Sequence, residues 1–327
     1  MNLMTDKLKT PWAERLSHAD YHPPKKHWLV TAITRWFYSH NPNPNLSPLT
    51  RGGTDDQCRD YEFAGAYLYF INLKMGGVSL DILEGKEVLD VGCGFGGKTM
   101  YVAEKTKPKY IHGFDIPEVF HPETAEQYAR AKGLNNVTFS LGYGEHIQFP
   151  DASFDAVISD DVIEHVKDPE KVFQEIYRVL RPGGIAILKF PSYKMIVAHH
   201  YDGWVNLPGI HYLLPYSTWA GGLNYLLTVP EYGFDFPALP RSVSTRYMND
   251  ISPFLNGIDM KGVKQAIAKT AFEVEKLVML PYFINLSRES HTPLRKAALF
   301  TYNKLLPLLG LQEYLSTHLI FVGRKPA

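Results

Sequence analysis

The stretch GKEVLDVGCGFGGKTMYVAEK, residues 85–105, constrains the fold more than any other part of the chain. An apolar strand (Val88, Leu89, Val91) carries one acid, Asp90, and runs into a glycine-rich turn of Gly92, Gly94, Gly96 and Gly97. A helical segment follows. Strand, glycine turn and helix in that order bring backbone close to a nucleotide-like ligand. The charges around the turn decide which nucleotide.

Downstream, strand and helix patterns alternate. Strands are predicted at 109–115, 136–142, 154–160 and 185–190, and helices at 122–133 and 168–180. The last helix has the plainest signature. Asp168 can cap it and Pro169 fits its first turn. Val172, Phe173, Ile176, Val179 and Leu180 form its apolar stripe, and Gly183-Gly184 stop it. Such alternation means a parallel sheet with helices on both faces, with ligands bound beyond the carboxyl ends of the strands.

The flanking regions are less regular. Residues 191–257 hold twelve aromatics in 67 positions, against 13% for the whole chain, which predicts a packed cap. A helix at 260–271 and strands at 272–280 and 318–323 extend the sheet, and 281–317 cross between those strands. Towards the N-terminus, Trp28, Leu29, Ala32, Ile33, Trp36 and Phe37 recur at helical spacing near Lys25, Lys26 and Arg35. They fit a lid helix packed on its own protein better than a helix lying on a membrane surface. Residues 40–57 are a loop, rich in proline, asparagine and glycine. A helix follows with Tyr61, Phe63, Ala64, Tyr67, Leu68 and Ile71 on one face and Gly76-Gly77 as its stop. The expected units are an N-terminal helical lid (1–84), a core (85–190), an aromatic cap (191–257) and a C-terminal continuation of the sheet (258–327).

Charge excludes some partners. Thirty-four basic and 34 acidic residues balance, so there is no chain-wide basic field for nucleic acid. Two cysteines, Cys58 and Cys93, make no disulfide framework and no zinc spacing. No apolar run approaches the roughly 20 residues of a membrane span, and no secretory signal pattern opens the chain. A cytoplasmic protein is expected, with peripheral membrane contact still open.

Gly92, Gly94 and Gly97 spell the Gly-x-Gly-x-x-Gly of dinucleotide sites, which place a pyrophosphate on the following helix N-terminus. Asp90, two residues before the first glycine, argues against that ligand. Like charges there cost on the order of several kcal/mol when desolvated. Gly96 beside Gly97 also leaves the turn open. S-adenosylmethionine (SAM) has no phosphate and carries a sulfonium and an ammonium against one carboxylate, so an acid at its methionine end attracts it.

VLDVGCGFGG resembles the first motif of the class I SAM-dependent methyltransferases, of the broad type-11 small-molecule group. The resemblance runs through about 85–190. Asp115 in GFDIP, 25 residues after Asp90, matches the acid that holds the ribose hydroxyls, and FPDASFDAVISDDVIEHVKDPEKVFQEIYRVLRPGGIAIL is similar to the block from the fourth to the fifth strand. The resemblance implies a Rossmann-like doubly wound α/β sheet of about seven strands, mostly parallel with one antiparallel, bearing the lid and the cap. It implies SAM as cofactor, with Asp90, Gly92, Cys93 and Gly94 facing the methionine half. Asp115 would take the ribose and Ile116 the adenine face. The family's acid for the adenine amino group is replaced by Tyr143, followed by Gly144 and Glu145. Either Glu145 or a backbone carbonyl takes that role. Asp160 and Asp161 would border the methyl group and the acceptor.

Other candidates weigh less. Asp155 reads as a structural acid at the start of a strand, and His165 as a packed, hydrogen-bonded group. Asp161 is the better-placed base, and His211, beside Tyr212, the best acceptor-side histidine of a cap that also holds His199 and His200. Methyl transfer from a sulfonium needs a base only when the nucleophile must lose a proton, so sequence fixes no catalytic residue. The expected activity is SAM-dependent methylation of a small molecule. The alternatives are a non-catalytic SAM-binding protein and, disfavoured by Asp90, a nicotinamide-dependent oxidoreductase.

Overall fold

The computed structural model describes residues 25–40, 54–117, 120–196, 209–228, 255–281 and 298–327. His199, His200, most of the expected loop at 40–57 and much of the expected cap lie outside these residues. Before the glycine turn come α1 (Trp28–His40), α2 (Asp55–Met75) and β1 (Glu87–Val91). Then follow α3 (Gly97–Thr106), β2 (Tyr110–Asp115), α4 (Pro122–Ala131), β3 (Val137–Leu141) and β4 (Phe154–Asp160). The chain continues through α5 (Pro169–Val179), β5 (Leu180–Phe190), α6 (Tyr216–Thr228), α7 (Met260–Ala268), β6 (Glu273–Pro281) and β7 (Ser316–Arg324).

The seven strands form one sheet in the order β3-β2-β1-β4-β5-β7-β6. β1 to β5 pair in parallel, whereas β7 lies antiparallel to both β5 and β6. The order reverses direction at β1, between β2 and β4, which opens a crevice beyond the carboxyl ends of β1 and β4. That is the Rossmann-like sheet with one antiparallel strand.

Helix-covered apolar layers lie on both faces. On one, Val172, Phe173, Ile176 and Val179 of α5 and Val263, Ala266 and Ile267 of α7 pack on Leu89, Val157, Leu188 and Phe321. The four α5 side chains are fully buried and contribute roughly 1.5–3 kcal/mol each. The Asp168 cap, which accepts the Lys171 N–H at 2.9 Å, is worth about 1 kcal/mol, so packing and not capping holds α5. The helix ends at Val179, before Gly183-Gly184, because Leu180 already enters β5.

On the other face lie α2, α3 and α4, packed on Val88, Ile111, Ile158, Ile187 and Ile320. Alternation along each strand puts Asp90, Asp160, Lys189 and His318 on this same face, near the carboxyl ends of the parallel strands. A polar row therefore crosses the sheet beneath α2.

Two helices present different faces from those the spacing predicts. α2 starts at Asp55, three residues inside the expected loop, because Thr54 and Gln57 form a capping box. It buries Cys58, Arg59, Ala66, Tyr69 and Leu73, while Tyr61, Ala64, Tyr67 and Leu68 point outward. Polar contacts with the glycine turn, described below, select that face. α1 buries Val30, Thr34 and Phe37 and leaves Trp28 and Trp36 exposed. It packs on α6, where Gly222 leaves room for Val30.

The α2–α3 junction is tight at one glycine. A Cβ on Gly97 would sit 2.1 Å from the Arg59 carbonyl oxygen and 2.8 Å from the Phe63 nitrogen. Gly65, on α2 itself, has nothing within 4 Å of such a Cβ. Gly97→Ala is therefore expected to destabilise the protein by about 1–3 kcal/mol in urea denaturation. Gly65→Ala should be neutral or stabilise by up to about 1 kcal/mol. Equal effects of the two changes would contradict the close helix contact.

Candidate active site

The glycine turn is shaped by its neighbours. Gly92 and Gly94 adopt φ of +76° and +59°, the left-handed region that disfavours side chains. A Cβ on Gly92 would lie 2.2 Å from Val162, and one on Gly94 2.5 Å from a Glu62 oxygen. The Gly94 N–H donates to Asp115 Oδ2 at 2.7 Å, and the Ile116 N–H to Asp115 Oδ1 at 2.7 Å. Both Asp115 oxygens are thereby fixed beside the glycine turn. Asp90 is buried at 5% exposure and accepts from Thr99 Oγ1 at 2.6 Å. Burial raises its pKa to about 6, against the Thr99 bond and the Lys98 charge. Burial, reinforced by Asp115, also pushes the Cys93 thiol well up, so it is a packed, neutral group.

The start of α3 is the position where a dinucleotide would rest its phosphates, and it is already capped. The Glu62 carboxylate accepts the Phe95 N–H at 3.0 Å and the Gly97 N–H at 3.0 Å. Arg59, 1% exposed, supports it: Nε donates to the Phe95 carbonyl at 2.9 Å and a terminal nitrogen donates to Thr124 Oγ1 at 3.1 Å. An anion from α2 thus satisfies the donors of a helix N-terminus from within the fold. Burial raises the Glu62 pKa to about 7, against its backbone bonds and Lys98.

At the ends of β4 and β5 lies a charge network. Lys98 pairs with Asp160, and Lys189 reaches Asp160 at 2.6 Å and Asp161 at 3.0 Å. His318 Nε2 stands 3.5 Å from Asp161. Burial opposes the charge on Lys98, but Asp160 and Asp161 hold its pKa up. Burial likewise opposes ionisation of Asp161, yet Lys189, His318 and Lys98 keep that carboxyl well below the usual range. Burial and the neighbouring Lys189 lower His318 to about 4, so it is neutral near pH 7. Asp161 also has φ of +59°, a conformation costing on the order of 1 kcal/mol, fixed by its N–H on the Lys189 carbonyl at 2.8 Å.

Asp90, Gly92, Cys93, Gly94, Asp115, Ile116, Asp160 and Asp161 thus gather around the tips of β1, β2 and β4. Gly144 is half-buried beside Val172 and Val91. Glu145 is engaged elsewhere, accepting the Lys167 N–H at 2.8 Å and the Asp168 N–H at 3.4 Å near the start of α5. Tyr143 is exposed. His211 belongs to the cap: Nε2 meets the Tyr193 carbonyl at 3.1 Å and its ring lies 4.1 Å from that of Tyr212. Asp155 accepts from the Glu87 N–H and from Arg181, both at 2.9 Å, far from the strand tips, as befits a structural acid.

Sequence reasoning missed Arg59, Glu62, Tyr69, Lys98, Lys189 and His318. The usable signal was a charged pair three residues apart inside a buried helical stripe, since arginine and glutamate are rarely buried without a fixed partner. A lysine within an otherwise apolar strand, IAILKF, was the other.

Residues 89–188 match the sequence model of the family described as "Methyltransferase domain". Over 143 residues the chain is 34% identical to a sterol 24-C-methyltransferase of Aspergillus fumigatus, covering 43% of this chain and 35% of that protein. Over 120 residues it is 35% identical to phosphoethanolamine N-methyltransferase 2 of Caenorhabditis elegans, covering 37% and 27%. The chain spans less than half the length of these curated relatives. Among solved structures it is similar to an S-adenosylmethionine dependent methyltransferase from Mesorhizobium loti, with TM-score 0.48, 17% identity and coverage of 80% and 99%.

Glu62 makes stability depend on pH. Its pKa rises from 4.5 unfolded to about 7 folded, so the native state holds the extra proton between those values. Its contribution is fully present below about pH 4.5 and is lost as pH climbs towards 7. Glu62→Gln should match the wild type in urea denaturation near pH 5 and exceed it increasingly up to about pH 7. His318, lowered from 6.5 to about 4, acts in the opposite sense in both proteins and cancels in the difference. Parallel pH profiles for the two proteins would contradict this burial of Glu62.

Proposed function

We propose that this chain, whose residues 89–188 match the family model described as "Methyltransferase domain", is a class I SAM-dependent methyltransferase that transfers a methyl group from SAM to a small-molecule acceptor. One observation carries the choice of cofactor: Glu62 already occupies the N–H donors of α3, in a crevice also lined by Asp90, Asp115 and Asp160. A pyrophosphate there would displace a carboxylate and face three more, whereas a phosphate-free cation is attracted. When bound, SAM supplies an electrophilic methyl group on a sulfonium.

The residues present fit this cofactor. Gly92 and Gly94 give a cradle free of side chains, Asp115 accepts from the ribose diol, and Asp90 and Asp160 face the cationic amino-acid end. Ile116 flanks the base. Cys93 and Gly144 serve as walls. With Glu145 held by the Lys167 and Asp168 N–H groups, a backbone acceptor near Gly142–Gly144 is the better reader of the adenine amino group.

Asp161 stands at the acceptor side with 40% of its side chain exposed. Its ionised form is so favoured that it takes up a proton poorly near pH 7. It therefore serves to stabilise positive charge that spreads onto the acceptor, and holding reactants in line supplies most of the acceleration. His211, whose protonation burial disfavours, shapes the cap side of the acceptor pocket. The acceptor is a metabolite rather than a nucleic acid, in keeping with the balanced charge. Cys58 and Cys93, both buried and neither in a disulfide, fit a cytoplasmic setting.

The test is titration calorimetry of SAM against Asp115→Asn and Asp115→Ala, with release of S-adenosylhomocysteine as readout of turnover. Both variants should fold and lose at least about tenfold in affinity, the alanine variant more. Unchanged affinity would remove Asp115 from the site and the proposal with it.

A further inference from the structure

We propose that Tyr69 and Lys98 hold the α-carboxylate of the cofactor's amino-acid tail, an anion-binding corner in an otherwise acidic crevice. The inference deepens the methyltransferase proposal and rests on it.

Tyr69 lies on the buried face of α2 at 3% exposure, in the apolar layer that also holds Leu73, Val78 and Leu80. Its hydroxyl is buried and has no hydrogen-bond partner among the described residues. The Lys98 ammonium stands 5.7 Å from the centre of the Tyr69 ring. Lys98 also pairs with Asp160, which sets Tyr69 beside the polar row at the strand ends. Burial and the carboxylates of Asp160, Asp90 and Asp161 keep the phenol protonated. It is a buried donor without a hydrogen-bond partner among the described residues, a cost that a ligand acceptor would relieve.

The need for a donor follows from the charges. Asp90 and Asp160 match the ammonium and the sulfonium of the cofactor, but its carboxylate would be a further anion among them. The backbone N–H groups of Phe95 and Gly97 are taken by Glu62. Lys189, 3% exposed, is spent on Asp160 and Asp161. Lys98 is not exhausted: of its three ammonium protons one meets Asp160, and its side chain is 27% exposed. Among the described residues, Tyr69 and Lys98 are thus side-chain donors at this corner with hydrogens left to give. α2 is tied to the glycine turn through Arg59 and Glu62, so the phenol is placed before the ligand arrives.

The test compares three ligands by calorimetry on the full chain: SAM, S-adenosylhomocysteine and decarboxylated SAM, which lacks only the carboxylate. Tyr69→Phe keeps the ring and its packing. It should weaken SAM and S-adenosylhomocysteine alike, by about ten- to a hundredfold, the range for a hydrogen bond to a charged group. Affinity for decarboxylated SAM should stay within about twofold of wild type. Lys98→Met should repeat the pattern. Equal losses for all three ligands would mean a merely structural role and overturn the assignment, as would no loss for any. Failure of the wild type to bind SAM would instead sink the methyltransferase proposal, and this one with it.

Discussion

The carboxylate of Glu62 lies on the backbone N–H groups of Phe95 and Gly97, and the site is arranged around that contact. The N-terminus of a helix after a glycine turn attracts anions, and in many α/β proteins the ligand's phosphate meets that demand. Here α2 meets it from within the chain. The same contact fixes which face of α2 is buried, brings Arg59 against the Phe95 carbonyl and turns Tyr69 inward. A helix outside the alternating core therefore caps the helix that follows the glycine turn.

Low dielectric sharpens the consequence. Glu62, Asp90 and Asp115 sit near one another, with Asp160 and Asp161 a strand away. Burial holds Glu62 and Asp90 partly protonated near neutral pH. A cationic ligand relieves this repulsion, because opposite charge within a few ångströms favours the ionised carboxylates. The lysines are set asymmetrically: Lys189 is locked between two aspartates, while Lys98, on the first turn of α3, keeps part of its surface open. Positive charge is thus confined to one edge of a negative crevice, a pattern that suits a zwitterionic amino-acid tail beside a sulfonium.

Much of the sheet was legible in the sequence because the core from 85 to 190 obeys local rules. Asp168-Pro169 starts α5 as its chemistry requires, short apolar runs mark β1, β2 and β4, and the glycine turn lies where strand meets helix. The residues placed at the strand tips, Asp90, Asp115, Asp160 and Asp161, were legible from the same strand ends. The face of α2 was not. Its apolar residues are spread almost evenly round the helix, so periodicity weakly favours one side, and the decision falls to Arg59 and Glu62, whose partners in the glycine turn are 33 to 36 residues away. Lys189 and His318 were illegible for a related reason. Each is a single polar residue in an apolar strand, and only the β4-β5-β7 order brings them to Asp160 and Asp161. Glu145 shows the limit of motif transfer: position alone could not reveal that the Lys167 and Asp168 N–H groups claim it.

The most direct measurement is a crystal structure of the protein with S-adenosylhomocysteine. The account predicts the ribose hydroxyls on Asp115, the amino-acid tail between Asp90, Asp160 and the first turn of α3, and Glu62 still seated on the Phe95 and Gly97 N–H groups. A ligand carboxylate or phosphate on those two N–H groups, with Glu62 swung away, would contradict it.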